Sequence, residues 1–425
     1  MSTTPLNKPR RLLLIANEFP PGGGGSLQRI LSIYRTFLRA GWAVDVLTSQ
    51  QNLPISERTK RGRALAASAF DLTDNPYGSV HYAYSVDASK VFAINGRYPG
   101  IVATPDRFAL SWVPAAVILG RKIIAANHPD VIFSSSPTLS PHIVGKLLGH
   151  YSGAKWIADY RDPTPYMHNR PMAGYLNWVH KKIDQQTLFG ADGITFATPE
   201  SRDLYIERYP HLKDKAIKVI PNGYSAVDMD AAKARFCTTA AKQDGITIYY
   251  SGELYPHGRD PQPIFQALAN YLQNSPLEPV TILFQGAGDG AAFSAELTSL
   301  GIKDHVKFLP RVTYAESLDS MLKADVLLLI QDELFHNQVP GKLYEYLATG
   351  RTILLKTNPG SATAKQAQPF DGVLYGYDAE QLTQVFEQLA RQKTSATGFN
   401  FERNTAHLSR EVQTENLVFF ANSLS

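Results

Sequence analysis

Short apolar runs alternate with amphipathic stretches along the chain, and the alternation starts over after a polar, irregular region near Gly223. This doubled pattern limits the available folds more than any other feature. In the first half RLLLIAN, WAVDVLTS, DVIFSSS, KWIADY, DGITFAT and KVIPNG read as strands. SLQRILSIYRTFLRAG, with apolar residues three and four apart, reads as a helix closed by Gly41. In the second half ITIYYSG, VTILFQG, VKFLP, DVLLLI and TILLK read as strands, and PQPIFQALANYLQ, YAESLDSMLKA and GKLYEYLATG as helices. Strands separated by helices predict parallel sheets with right-handed crossovers. The expected class is α/β, with two Rossmann-like doubly wound domains. No fixed-period repeat points to a solenoid.

The size agrees: 425 residues suit two domains of roughly 200 residues each. With 44% hydrophobic and 19% charged residues, the chain has material for real cores and is not a disordered one. A net charge of +4 suits an anionic ligand or an anionic lipid surface, and falls far short of a nucleic-acid footprint. The single cysteine, Cys237, excludes an intrachain disulfide or a cysteine zinc site and fits a reducing compartment. A cytoplasmic location is therefore expected. Leu12 to Ala16 is too short an apolar run for a secretory signal or a membrane span. The most membrane-like stretch, FALSWVPAAVILGRKIIAANHP, is interrupted by Pro114, Arg121 and Lys122. A packed helix is the expectation there and an interfacial one the alternative, so membrane association would be peripheral contact with the inner membrane surface.

Doubly wound sheets hold ligands at the carboxyl ends of their strands. If those ends face one another, the cleft between the domains is the active site. The chemistry-bearing residues fall where this places them. EFPPGGGGSLQR follows the first strand, and its four glycines, Gly22 to Gly25, precede a helix N-terminus able to meet a phosphate or sugar. The bland reading is a flexible surface turn. No acidic residue after Leu47–Thr48–Ser49 is placed to grip an NAD ribose. YYSGELYPHGRDPQP presents His257 and Arg259 after a strand; an arginine fork matches phosphate oxygens, although a loop arginine is more often solvated. In NQVPGKLYEYLATG, Lys342 lies in the first turn of a helix, where it opposes the dipole unless an anion sits there. Glu345 shares its face and could accept from ribose hydroxyls; the rival is an ordinary Lys–Glu surface pair. ADYRDPTPYMHNRP gathers Asp159, Arg161, Asp162, His168 and Arg170 after a strand. That cluster reads as an acceptor or catalytic site, or else as an internal Arg–Asp salt bridge fixing the loop.

Taken in order, PPGGGGSLQR, LRAGWAVDVLT, DVIFSSSP, ADYRDP, VIPNGY, ADVLLL and VPGKLYEYLATGRTILL resemble the landmarks of the family-4 retaining glycosyltransferases. The resemblance implies a GT-B fold, two domains facing across a cleft. Residues 1–222 would form the acceptor domain, with a C-terminal helix of about 403–425 packing back on it, and 223–402 would bind the nucleotide sugar. It implies that Gly23 and Gly24 lie near the donor phosphates or the acceptor, and that Arg259 matches the phosphate-binding lysine. Lys342 and Glu345 would meet pyrophosphate and ribose. Gly252, Gly286, Arg311 and Val312 would complete the donor site, the base being lined by Gly286 and the segment Leu309 to Val312. Asp159, Arg161, Asp162 and His168 would serve the acceptor. Asn337 and Glu253 depart from the family pattern, which commonly has glutamate and arginine there, and the DYRDP loop replaces a histidine-bearing one.

No convincing acidic metal pair is in place, so no cofactor or metal is expected. Arg259, Lys342 and a helix N-terminus would stabilise the leaving diphosphate, with Asp162 as the catalytic group toward the acceptor hydroxyl. The resulting expectation is a retaining, metal-independent, hexosyltransferase-like glycosyltransferase. It would carry a sugar from a nucleotide-diphosphate donor to a saccharide or lipid-linked acceptor in polysaccharide biosynthesis, with no nucleic-acid partner. The alternatives are a sugar-nucleotide epimerase and a non-catalytic nucleotide-sugar-binding subunit.

Overall fold

The computed structural model describes residues 9–22, 27–59, 78–164, 174–236, 244–255, 257–274, 276–395 and 398–424, with the backbone alone for 63–66. Two units emerge, residues 1–221 with 411–425, and 222–410. The first is built on β1 (Arg11–Ile15), β2 (Ala43–Ser49), β3 (Arg63–Ala66), β4 (Ser79–Ala83), β5 (Val131–Ser135), β6 (Lys155–Tyr160), β7 (Gly193–Phe196) and β8 (Ala216–Val219). These form one sheet in the order β3-β4-β2-β1-β5-β6-β7-β8. Every pairing is parallel except β3 against β4 at the edge. The second unit uses β9 (Ile246–Ser251), β10 (Val280–Gln285), β11 (Val306–Leu309), β12 (Val326–Gln331), β13 (Thr352–Thr357) and β14 (Val373–Tyr375). Their order is β11-β10-β9-β12-β13-β14, parallel throughout. Renumbered within the unit this is the 3-2-1-4-5-6 order of dinucleotide-binding folds, and the predicted α/β doubly wound class holds for both units.

The apolar strand runs follow from burial on both faces. In β1, Leu12 and Leu14 face one core while Leu13 and Ile15 face the other. In β12, Val326, Leu328 and Ile330 enter one core and Leu327 and Leu329 the opposite one. Gly41 ends the first helix, Leu27–Arg39, at φ +82° with its N–H donated to Leu38 O at 2.9 Å, as the sequence led us to expect. The last helix, Arg410–Ser423, sends Leu417, Val418 and Ala421 into the core that holds Leu12 and Leu14.

The membrane-like stretch forms the helix Ala109–Asn127. Trp112, Ala116, Gly120 and Ile123, spaced three and four apart, pack inward, so one face of this helix belongs to the core. The other face leaves Leu110 and Ile118 exposed beside Arg121 and Lys122. Strands β4 and β14 were not read from the sequence, because SVHYA and VLY are too short to show a period.

Candidate active site

In the C-terminal unit the connections run in opposite directions from β9 and β12, so the ligand crevice of such a sheet lies at the carboxyl ends of these two strands. After β9 the chain makes a small loop closed by a bridge between Tyr255 and Arg259, whose N–H donates to Tyr255 O at 3.1 Å. Asp332, just past β12, clasps that loop. Its N–H donates to Gly258 O at 2.9 Å, and its Oδ2 accepts the Asp260 N–H at 2.9 Å. The buried Lys356 ammonium, from β13, pairs with its Oδ1. The Arg259 guanidinium lies 5.3 Å from the Tyr255 ring centroid and 5.6 Å from that of Phe335. It is therefore held by cation–π contacts rather than freely solvated.

The helix Gly341–Thr349 opens at Pro340 without a side-chain cap. From its first turn Lys342 reaches back so that Nζ donates to Ser251 O and lies 5.4 Å from the Tyr250 ring centroid. Burial, and then the neighbouring Arg259 charge, lower its pKa to about 8; Arg311 acts in the same sense, Glu345 and Glu253 against it. Among the described residues neither Arg259 nor Lys342 forms an ion pair with a carboxylate. The surface Lys–Glu pair is not what the structure contains, because Glu345 is taken by Arg410.

The two cations meet at Gly252, which sits at φ +124°. A Cβ there would run into Lys342 Nζ and lie 4.0 Å from Arg259 Nη1. Gly252→Ala is expected to cost about 1–3 kcal/mol in backbone strain and to displace Lys342. A melting curve with and without nucleoside diphosphate checks both effects, and an unchanged ligand response would remove Gly252 from the site. The depressed Lys342 pKa carries its own consequence. An anion prefers the protonated amine, so diphosphate affinity should be level below about pH 8 and fall above it. In the empty protein the sign is reversed. The folded pKa lies below the unfolded one, so stability from this group rises with pH between the two. A pH series of diphosphate titrations on wild type and Lys342→Met tests this; an inflection that survives in the variant would assign it elsewhere.

Beside these cations is a pocket of about 750 Å³, lined by Glu253, Tyr255, Gly286, Phe308, Leu309 and Arg311 among others. That is the size of a nucleotide-scale ligand site. Gly286 donates its N–H to Leu309 O at 2.9 Å, so its N–H is already used within the sheet. Arg311 pairs with Glu253 across exposed surface, and Val312, 40% exposed, does not line the pocket. Glu345 is buried, and its Oε1 accepts both Tyr314 Oη at 2.9 Å and Arg410 Nη2 at 3.1 Å. Sequence reasoning missed Arg410, Asp332 and Lys356. No local pattern marked them, since their partners lie 65, 72 and 24 residues away.

In the N-terminal unit the expectation for Asp159 is corrected. It is fully buried and its carboxylate is saturated: Arg29 donates from Nη2 at 2.7 Å and Nε at 3.2 Å, and Ser135 and Thr195 hydroxyls donate at 2.7 Å each. Burial alone would raise the carboxyl pKa, but Arg29 and the hydroxyl bonds prevail and hold it below the usual range. With no lone pair left for an acceptor, Asp159 is a structural anchor. The rival reading, an Arg–Asp salt bridge inside the loop, is not seen among the described residues, where Asp159 pairs instead with Arg29 on the buried face of the first helix. Asp162 is partly exposed and has no hydrogen-bond or ion-pair partner among the described residues. Gly23, Gly24 and His168 lie outside the described residues.

Two doubly wound units, the second bringing Arg259 and Lys342 together at Gly252, give the chain the GT-B type of fold. Residues 23–226, a little under half of the chain, match the family model described as Glycosyltransferase Family 4. The chain is thus similar to that family over its N-terminal unit. No curated relative matches it. Among solved structures it is similar to a glycosyltransferase from Rickettsia africae, at 11% identity and TM-score 0.63 over 98% of both chains. HepE from Anabaena, in complex with UDP and glucose, aligns at 14% identity and TM-score 0.60, covering 97% of this chain and 100% of that one. A putative UDP-N-acetylglucosamine 2-epimerase from Listeria monocytogenes aligns at 12% identity and TM-score 0.56, covering 98% and 96%. At these identities the likeness establishes the fold.

Proposed function

We propose that this chain is a retaining, metal-independent glycosyltransferase that uses a uridine-diphosphate sugar and delivers the sugar to a hydroxyl of a saccharide or lipid-linked acceptor. The observation that carries the reading is the convergence of Arg259 and Lys342, neither paired with a carboxylate, on Gly252 at an uncapped helix N-terminus. Two fixed cations and a helix end are what a departing diphosphate requires when no metal neutralises it. Uridine is chosen because HepE is a complex with UDP. The pocket at Gly286, Leu309 and Arg311 receives the base, and Glu345 meets the ribose. Both of its bonds among the described residues fall on Oε1, which leaves Oε2 for a ribose hydroxyl.

In the reaction the bond from the sugar anomeric carbon to the diphosphate breaks, and its electron pair leaves on the phosphate oxygen that Lys342 and Arg259 stabilise. The acceptor hydroxyl bonds to the same face of that carbon. Asp162 is assigned to the acceptor hydroxyl, and its proton passes there or to the leaving diphosphate. A cytoplasmic place and a role in cell-surface polysaccharide assembly fit the single cysteine and the basic charge. The exposed apolar and basic face of the helix Ala109–Asn127 suits peripheral contact with a membrane.

A thermal-shift series with UDP, GDP, ADP, TDP and CMP, each with and without EDTA, tests the donor. Stabilisation by UDP that survives EDTA is expected; a shift that EDTA abolishes, or none at all, would overturn the reading. The fold-level likeness to an epimerase supplies the rival. Net turnover of UDP-sugar in the absence of any acceptor would favour it.

A further inference from the structure

Among the described residues, the enclosed charged side chains at the carboxyl end of the N-terminal sheet are paired, with one exception. Arg29 holds Asp159. Asp184 accepts from Tyr160 Oη at 3.1 Å and Thr164 Oγ1 at 2.7 Å. Arg161, the first residue past β6, is the exception. Its backbone N–H donates to Ser136 Oγ at 2.9 Å, which fixes it to the loop after β5. Its guanidinium Nε and Nη1 are enclosed and have no hydrogen-bond partner among the described residues. Burial lowers its pKa and the Arg29 charge acts in the same sense, against the opposing charges of Asp162, Asp159 and Glu18. A guanidinium has five donors and cannot shed its charge, so enclosing it unpaired is costly. Nη2, the nitrogen that is not enclosed, shares one two-donor fork with Nε and the other with Nη1. An oxyanion arriving on that side would complete a bidentate pair.

We propose that Arg161 is the receptor for an oxyanion, a phosphoryl or carboxylate group, carried by the acceptor substrate. This rests on the transferase reading for the word acceptor, but the anion site stands on Arg161 alone. It narrows the acceptor to a charged saccharide or a phosphate-linked one. Neutral sugars can accept its hydrogen bonds but bring no negative charge to pair with the guanidinium.

The test titrates inorganic phosphate, and separately glucuronate, into the full chain by calorimetry. The Lys342→Met background is used so that the donor cation does not compete. One of the two anions should bind, phosphate indicating a phosphorylated acceptor and glucuronate an acidic sugar. Adding Arg161→Met should weaken that binding by at least about tenfold, and in anion-free buffer should leave the melting temperature unchanged or higher. Arg161→Lys, which keeps the charge without the fork, should weaken binding comparably. Binding of neither anion, equal affinity with and without Arg161, or a lower melting temperature in anion-free Arg161→Met would overturn the proposal. Failure of UDP to bind wild type would sink the transferase reading instead and leave this site standing.

Discussion

Replacing Lys342 with methionine is expected to lower the proposed sugar transfer by about 10²–10³-fold while the protein melts no lower than wild type. The size follows from what is removed. Lys342 Nζ sits with Arg259 at a helix N-terminus, partly buried, where on the proposed reading its charge would act through a low dielectric on the departing diphosphate. The sign of the stability effect follows from the same burial, which already lowers the amine pKa to about 8. A cation that the empty fold holds at a cost takes that cost with it when it leaves. Because leaving-group charge is greatest in the transition state, kcat should fall along with kcat/KM. Steady-state kinetics with UDP-sugar and a melting curve settle it. Near-wild-type turnover, or a collapsed fold, would remove Lys342 from the chemistry.

Asp159→Ala is expected to be the most damaging single change to the fold. It leaves Arg29 buried without its carboxylate and strips the Ser135 and Thr195 hydroxyls of their acceptor. Breaking a buried pair on one side costs about 3–5 kcal/mol, which lowers the melting temperature of a unit this size by about 10 °C or more. The double variant Arg29→Met with Asp159→Ala removes the stranded charge and should recover much of that loss. If Asp159→Ala melts within a few degrees of wild type and loses only activity, the anchor role is wrong and the acceptor role first expected for Asp159 returns.

The two residues of the DYRDP loop that most resemble each other in the sequence therefore part company in the structure. Asp159 and Asp162 stand three positions apart, equally acidic, in one cluster. One faces inward from β6 and is saturated; the other lies past the strand end, partly exposed and without a hydrogen-bond or ion-pair partner among the described residues. Strand alternation runs out where the strand ends, so nothing in the spacing said which was which.

What the sequence determined by itself was local. Apolar runs of strand length, helical spacing between them and Gly41 after the first helix specified the elements and their class, because both periodicities act over a few residues. The switch from strand to polar loop to helix placed Arg259, Lys342 and Glu345 near a crevice for the same reason. The tertiary structure alone decided which charges are used up. Arg29 meets Asp159 across 130 positions, and Arg410 meets Glu345 across 65. It also decided which charges remain, with Lys342 turned onto Ser251 and Arg161 Nε and Nη1 enclosed without a hydrogen-bond partner among the described residues. Those outcomes depend on strand order and on which side chains a sheet brings to one edge. Periodicity records only that a residue faces a core; which distant residue it meets there is settled when the sheet assembles.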